Sequence, residues 1–132
     1  MINSLVSVII PTKNSGTLLG KCLDTLKNQT YKEIEVIIVD NSSTDQTKKV
    51  AEEFGTKFFV AGPDQSKERV FGAPFQRNYG FRKAQGSYVY YVDVDMELPA
   101  NLIEECVGII QANKECKAII VVEESFGVGF WA

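Results

Sequence analysis

An α/β domain with a mostly parallel sheet and helices on both faces is predicted by three features of the 132-residue sequence. Short β-branched runs alternate with segments in which apolar residues recur at helical spacing. The runs are apolar almost throughout, which is typical of parallel strands that are buried on both faces. Helical segments separate successive runs, and this alternation favours a parallel sheet over hairpins.

Five strands and four helices are predicted from this pattern. The strands are predicted over residues 5–10, 34–39, 57–61, 87–92 and 117–122. The helices are predicted over residues 15–28, from a capping box at residues 43–46 to Gly55, from Pro74 to Gly86, and onward from Pro99. Residues 1–132 are predicted to form one domain, which we expect to be truncated because no polar tail follows residues 126–132.

The composition limits the chemistry of this domain. Histidine is absent, which excludes Ser-His triads and His-based zinc sites, so base chemistry would need carboxylates and a metal would need oxygen ligands. The net charge of -3, with both signs mixed along the chain, argues against nucleic acid as a partner. The spacing of the three cysteines matches no zinc motif. Reduced thiols and the absence of a signal-peptide pattern predict a cytoplasmic protein, or one at the membrane surface in a full-length form.

Polar residues follow three of the predicted strands, whose carboxyl ends would meet at one edge of the sheet. They lie at residues 11–14, 40–43 and 93–95. Asp93 and Asp95 follow an uncharged strand, and two close carboxylates repel unless a cation binds them. This favours a divalent metal that also contacts a diphosphate. The alternative is a solvated turn in which Asp95 caps the next helix.

Asp40 and the cations before the fourth strand are further candidates. Asp40 could accept a pyrimidine N–H or a ribose hydroxyl, or it could accept backbone N–H groups of its own turn. Lys67, Arg69 and Arg77 could hold diphosphate oxygens or remain solvated. The motifs G-x-G-x-x-G and G-x-x-x-x-G-K-[ST] do not occur, which excludes nicotinamide dehydrogenases and P-loop proteins.

Five segments in a fixed order form the most specific pattern in the sequence. They are residues 6–14 (VSVIIPTKN), 22–31 (CLDTLKNQTY), 35–45 (EVIIVDNSSTD), 76–86 (QRNYGFRKAQG) and 91–95 (YVDVD). They resemble the motifs V-S-V-I-I-P-T-x-N, C-L-x-S-L-x-x-Q-T-Y, E-I-I-V-V-D-D-G-S-T-D, A-R-N-x-G with A-x-G, and F-L-D-x-D of family 2 glycosyltransferases, which have the GT-A fold. The resemblance covers nearly the whole chain.

The resemblance implies the donor-binding half of an enzyme that transfers a sugar from a nucleotide-diphosphate-sugar to an acceptor hydroxyl with inversion. Pro11, Thr12 and Asn14 would line the nucleoside pocket. Asp40 would face the base.

The resemblance also implies a diphosphate and metal site. Arg77 would lie near the diphosphate or help to order the site. Asp93 would approach the ribose or a metal-bound water, and Asp95 would be the main ligand of Mg²⁺ or Mn²⁺. The metal would neutralise the negative charge of the leaving nucleoside diphosphate.

The sequence departs from the family pattern at three places. Lys13 stands where an aromatic residue is common, Asn41 and Ser42 replace D-G, and residues 62–73 lack the usual E-N-x-G. The family's general base and acceptor site lie further along the chain, so the base is expected beyond Ala132. The isolated chain is therefore expected to bind its donor without catalysing transfer.

Two other functions remain open at this level. A nucleotidyltransferase also combines a parallel sheet, a metal and a nucleotide, but it would need a Gly-rich basic loop after the first strand. A non-catalytic domain that binds a nucleotide-sugar or mediates assembly is the second alternative. The expected acceptor is a saccharide, a lipid-linked molecule or a protein. A homodimer is expected through the C-terminal region, where the fifth strand and Phe126, Phe130 and Trp131 would be uncovered.

Overall fold

The computed structural model describes residues 4–61 and 72–121, which form four strands and four helices. The strands are β1 (Val6–Thr12), β2 (Ile34–Asp40), β3 (Lys57–Val60) and β4 (Tyr88–Tyr91). The helices are α1 (Gly16–Lys27), α2 (Thr47–Glu53), α3 (Ala73–Lys83) and α4 (Leu102–Ala112). The described helices include none with the length and apolar character that would be needed to cross a membrane.

All strand pairs are parallel, and the sheet has the order β3-β2-β1-β4. Because β1 lies between β2 and β4, the chain first builds the sheet to one side of β1 and then crosses to the other side. This reversal is the topological switch point at which open α/β sheets bind ligands.

The two faces of the sheet are covered unequally. Val6, Val8 and Ile10 of β1 point into a core formed with residues of α1, α2 and α4. Ile9 points to the opposite face, where a smaller core includes Phe75 and Tyr79 of α3. This alternation follows from the two-residue side-chain period of a strand, and it confirms the predicted helices on both faces.

Gly80 allows α3 to approach the sheet closely. A Cβ at this position would lie 2.5 Å from Ile9 Cγ2 and 3.1 Å from Val39 Cγ2, so the helix could not keep its position if residue 80 carried a side chain. The glycine of the R-N-x-G segment is therefore explained by helix packing.

The predicted fifth strand is wrong for the part of it that is described. Residues 117–121 are not in a strand, and Ile120 is 92% exposed. A run of apolar residues predicts burial, but a strand also needs a hydrogen-bonded neighbour, and residues 117–121 have none among the described strands. The first four predicted strands are confirmed with small shifts of their ends.

The predicted capping box at residues 43–46 is also wrong. Helix α2 begins at Thr47 after Gln46, and no side chain caps it from the N-cap position. The Ser43 hydroxyl instead donates to Asp40 Oδ1 at 2.6 Å. Gly55 does end this helix region in the left-handed conformation, with φ of 70°.

Candidate functional site

The carboxyl ends of β1, β2 and β4 meet at one edge of the sheet, and the predicted site residues lie there. We call this edge the rim and define it as residues 11–16, 40–47, 76–77 and 93–95. Residues 11–16 and 40–47 contain the ends of β1 and β2 and the loops after them, residues 76–77 belong to α3, and residues 93–95 follow β4. The structure therefore brings the predicted residues to one edge of the sheet, as the ends of the parallel strands predicted.

Asp40 is the buried centre of the rim, with 2% of its surface exposed. Its Oδ1 accepts the hydroxyls of Thr12 at 2.7 Å and Ser43 at 2.6 Å, and its Oδ2 accepts the Ser43 N–H at 2.8 Å. These contacts match the interpretation in which Asp40 satisfies its own turn. A carboxylate has about four acceptor positions, so about one remains for a ligand.

The loops after β1 and β2 interlock around Asn14. Its N–H donates to Ser43 Oγ at 2.7 Å, and its Oδ1 accepts the Thr44 N–H at 2.8 Å. Asn14 and Ser42 both have positive φ, 46° and 49°, which is uncommon for residues other than glycine. The cross-loop hydrogen bonds hold these conformations, so the rim is shaped before any ligand arrives. Lys13 Nζ reaches the Asn41 carbonyl oxygen at 3.3 Å.

Asp45 joins the starts of α1 and α2, a role that the sequence did not suggest. Its Oδ2 accepts the Gly16 N–H at 3.0 Å, and its Oδ1 accepts the Thr47 N–H at 3.0 Å and the Thr47 hydroxyl at 2.5 Å. The hydrogen bonds from Thr47 and Gly16 lower the pKa of this carboxyl group. The sequence feature that could have indicated this role is an aspartate two residues before a helix that begins with threonine.

Arg77 and Asp93 form an ion pair across the rim. Arg77 Nη2 lies 2.6 Å from Asp93 Oδ1, and the side chains are 35% and 53% exposed. The Arg77 Nε is buried and has no hydrogen-bond acceptor among the described residues. The guanidinium is therefore fixed by Asp93 while part of its hydrogen-bonding capacity is unused.

Asp95 is exposed, and its carboxylate accepts no hydrogen bond from the described part of the chain. Burial, together with the charges of Asp95 and Glu97, raises the pKa of the Cys22 thiol to about 12. Cys22 is fully buried and stays protonated.

The described residues contain no group of three acidic or cysteine side chains that could hold a metal by themselves. Mg²⁺ is commonly bound by one or two carboxylates plus substrate phosphates, so two rim carboxylates fit this mode. Because Asp93 is paired with Arg77, Asp95 is the carboxylate that is free to approach a metal.

Sequence reasoning missed Gln76, which lies beside Arg77 and is 4% exposed. No sequence signal marks Gln76, because the residues of α3 have almost no amphipathic pattern that would assign one face to the core. The predicted cations Lys67 and Arg69 lie outside the described residues, as do Phe126, Phe130 and Trp131.

Comparison with known proteins identifies the family to which this chain belongs. The family model described as glycosyl transferase family 2 matches residues 7–131. A curated relative, glycosyltransferase GlyG of Streptococcus pneumoniae, is 30% identical over 125 residues, which cover 90% of this chain and 39% of GlyG.

Two solved structures give the corresponding structural match. Staphylococcus aureus TarS 1-349 in complex with UDP-GlcNAc is 28% identical with a TM-score of 0.69, over 82% of this chain and 31% of that chain. The mannosyltransferase PcManGT from Pyrobaculum calidifontis, in complex with GDP-Man and Mn²⁺, is 28% identical with a TM-score of 0.61, over 74% of this chain and 29% of that chain.

The chain belongs to glycosyl transferase family 2, and its sheet and helices form the N-terminal portion of a GT-A fold. It spans less than half of the length of the relatives described above.

Proposed function

We propose that this chain binds a nucleotide-diphosphate-sugar at the rim, and that the full-length protein transfers the sugar to an acceptor hydroxyl with inversion. The observation that carries this proposal is the presence on one rim of a buried acceptor, Asp40, and an incompletely satisfied guanidinium, Arg77. A nucleoside offers N–H and O–H donors and a diphosphate offers anionic oxygens, so the two residues complement the two parts of the donor.

The nucleoside is proposed to lie over the ends of β1 and β2. The hydroxyls of Thr12 and Ser43 hold the Asp40 carboxylate in place. Its remaining acceptor position would accept a base N–H or a ribose hydroxyl. Pro11 and Asn14 would line the same pocket. The complexes of TarS with UDP-GlcNAc and of PcManGT with GDP-Man support a nucleotide-sugar as the ligand class.

The diphosphate is proposed to lie beside the Arg77–Asp93 ion pair and close to Asp95. Arg77 would donate to diphosphate oxygens, and Asp93 would keep the guanidinium oriented. Asp95 would ligate Mg²⁺ or Mn²⁺, with Asp93 close to the metal or its water. When bound, the metal would neutralise the negative charge that develops on the leaving diphosphate.

The general base and the acceptor pocket are proposed to lie outside these 132 residues. The relatives are much longer than this chain, which covers 39% of GlyG and 31% of TarS 1-349. We therefore expect the isolated chain to bind a donor but not to transfer its sugar. The acceptor is proposed to be a saccharide, a lipid-linked molecule or a protein.

Calorimetric titration with UDP and GDP, each with and without Mn²⁺, tests the proposal directly. We expect one of the two nucleotides to bind with micromolar to millimolar affinity, and Mn²⁺ to tighten that binding. UTP and GTP are the matched controls, because a nucleotidyltransferase would prefer a triphosphate. No binding of either diphosphate, or preference for a triphosphate, would contradict the donor-binding assignment.

We also propose that copies of the chain associate through the C-terminal region. Strand β4 has only β1 as a neighbour among the described strands. On its other side lies an apolar groove of about 620 Å³, bordered by β4, α4 and residues 117–121. The exposed strand edge is thus that of β4 rather than that of the expected fifth strand. Light scattering on the wild-type chain and on the variant Ile120→Asp tests this association. The proposal would be refuted if both proteins were monomeric.

A cytoplasmic location is proposed as well, because all three cysteines are free thiols. In a full-length protein, the proposal extends to the membrane surface. Fractionation of cells that express the full-length protein would test both parts.

A further inference from the structure

A single buried amide nitrogen links the ends of the two central strands. Gln76 lies in the first turns of α3, and its Nε2 donates to the Thr12 carbonyl oxygen at 3.0 Å and to the Val39 carbonyl oxygen at 2.7 Å. The two acceptors belong to β1 and β2, which are neighbours in the sheet. A contact of this kind fixes a helix relative to two strands at once.

The two carbonyl groups are next to the residues that shape the rim. Val39 precedes Asp40, and the Thr12 hydroxyl holds the Asp40 carboxylate. The Thr12 carbonyl oxygen also accepts the Asn41 N–H at 2.9 Å. Loss of the Gln76 amide would therefore act on both backbone segments that position Asp40.

Helix packing holds Gln76 in this place. Gly80 lies four residues later on α3, on the same side of the helix, and a Cβ there would lie 2.5 Å from Ile9 Cγ2 and 3.1 Å from Val39 Cγ2. Arg77 follows Gln76 directly and reaches Asp93 after β4. Two consecutive residues of one helix thus connect the ends of three strands.

We propose that Gln76 is a positioning residue for the donor. It sets α3 against the ends of β1 and β2, and so fixes the position of Arg77 relative to Asp40. The inference rests on the proposed function, in which these two residues bind the diphosphate and the nucleoside.

The substitution Gln76→Met keeps the length of the side chain and removes both donated hydrogen bonds. The matched control is Gln85→Met, because Gln85 is exposed and lies at the opposite edge of the sheet. In calorimetry with the nucleoside diphosphate that the wild-type chain prefers, we expect Gln76→Met to weaken binding about tenfold and the control to be unchanged.

Gln76→Glu gives a second readout that a purely space-filling role would not produce. Its carboxylate cannot donate to the two carbonyl groups, whereas its protonated form can donate once. The affinity ratio of wild type to Gln76→Glu should therefore fall as pH is lowered from about 8 to about 5, because burial beside carbonyl oxygens favours the protonated form. A ratio that does not depend on pH would contradict the proposal.

Amide hydrogen exchange without nucleotide separates this inference from the proposed function. In Gln76→Met we expect faster exchange of the Asn41 N–H, at the carboxyl end of the β1–β2 pair. The Val6 N–H, which donates to the Glu33 carbonyl oxygen at the amino end of the same pair, should be unaffected. Equal changes at both amides, or none at Asn41, would overturn the positioning role even if the wild type bound no nucleotide.

Discussion

The two ends of the sheet both carry polar clusters, but they are built differently. At the amino end, Glu35 accepts the Ser7 hydroxyl at 2.5 Å, the Gln85 N–H at 2.7 Å and the Lys57 ammonium at 2.5 Å. The Glu35 side chain is 8% exposed. The Ser7 hydroxyl in turn accepts the Gly86 N–H at 2.8 Å. This cluster joins β1, β2, β3 and the turn before β4.

The carboxyl end is satisfied only in part. Asp40 and Asp45 are held by several hydrogen bonds each, and these fix the loops. In contrast, Arg77 Nε and the Asp95 carboxylate have no hydrogen-bond partner among the described residues. A buried polar cluster without spare capacity stabilises a fold, whereas fixed groups with spare capacity can bind a ligand. Substituting one carboxylate at a time can therefore test whether the amino end stabilises the fold and the carboxyl end binds a ligand.

The largest loss of stability is expected from Glu35→Ala at the amino end. The change removes three hydrogen bonds to a carboxylate whose side chain is 8% exposed, although its partner Lys57 is 46% exposed, and should lower the free energy of unfolding by about 3 kcal/mol. Nucleotide affinity should not change, because Glu35 lies at the far end of the strands. Urea unfolding and calorimetry measure the two effects, with the exposed Glu53→Ala as control. A stable variant with weakened nucleotide binding would reverse the assignment of the two ends.

A smaller loss of stability is expected from Asp40→Ala, combined with a loss of affinity. The structure shows three hydrogen bonds to a buried carboxylate, so unfolding free energy should fall by about 2 kcal/mol. Nucleotide binding should weaken at least about tenfold because the base or ribose loses its acceptor. The exposed Asp24→Ala serves as control. If affinity stays the same while stability falls, Asp40 has only its role in the turn.

The contrast between the two ends also explains what the sequence could predict. The strands and helices follow from local patterns: β1 is buried along its whole length, and the apolar spacing of α1 matches its buried face. The strand ends then locate the rim, because parallel strands place their carboxyl ends together. The fold, and the edge of the sheet at which the candidate residues gather, could therefore be predicted without any knowledge of side-chain contacts.

The side-chain contacts themselves could not be predicted from the sequence, because they join residues that are distant in the chain. Gln76 is 64 residues from Thr12 and 37 residues from Val39. The Ser43 hydroxyl had two possible partners, the start of α2 or Asp40. Its position depends on the loop after β1, because it accepts the N–H of Asn14, which is 29 residues away in sequence. Residues 117–121 were predicted as a strand because apolar pattern alone cannot reveal whether a pairing strand is present.

A still smaller effect on stability is expected from acid, with the amino end as the more sensitive of the two. Burial raises the pKa of Glu35, but hydrogen bonds from Lys57, Ser7 and the Gln85 N–H outweigh it, so the net pKa is lowered. A carboxyl group with a lowered folded pKa stabilises the fold above its unfolded pKa, and this stabilisation is lost as pH falls through the folded pKa.

Unfolding free energies measured from about pH 7 to about pH 3 should therefore decrease, and Glu35→Gln should flatten this dependence. Asp45→Asn should flatten it less, because Asp45 also has a lowered pKa but is exposed. The opposite order of the two variants would show that the carboxyl end carries the acid-sensitive part of the stability.

The smallest effect on stability, and the sharpest contrast between the two ends, is expected from Asp95→Asn. Asp95 is exposed and accepts no hydrogen bond from the described residues, so the free energy of unfolding should remain within about 0.5 kcal/mol of wild type. If Asp95 is the main metal ligand, Mn²⁺ should no longer tighten nucleotide binding, although the metal-free affinity should be retained. Glu97→Gln removes the same charge two residues further along and should keep the Mn²⁺ effect. Full metal-dependent affinity in Asp95→Asn would exclude Asp95 as the ligand and would leave Asp93, already paired with Arg77, as the carboxylate to test next.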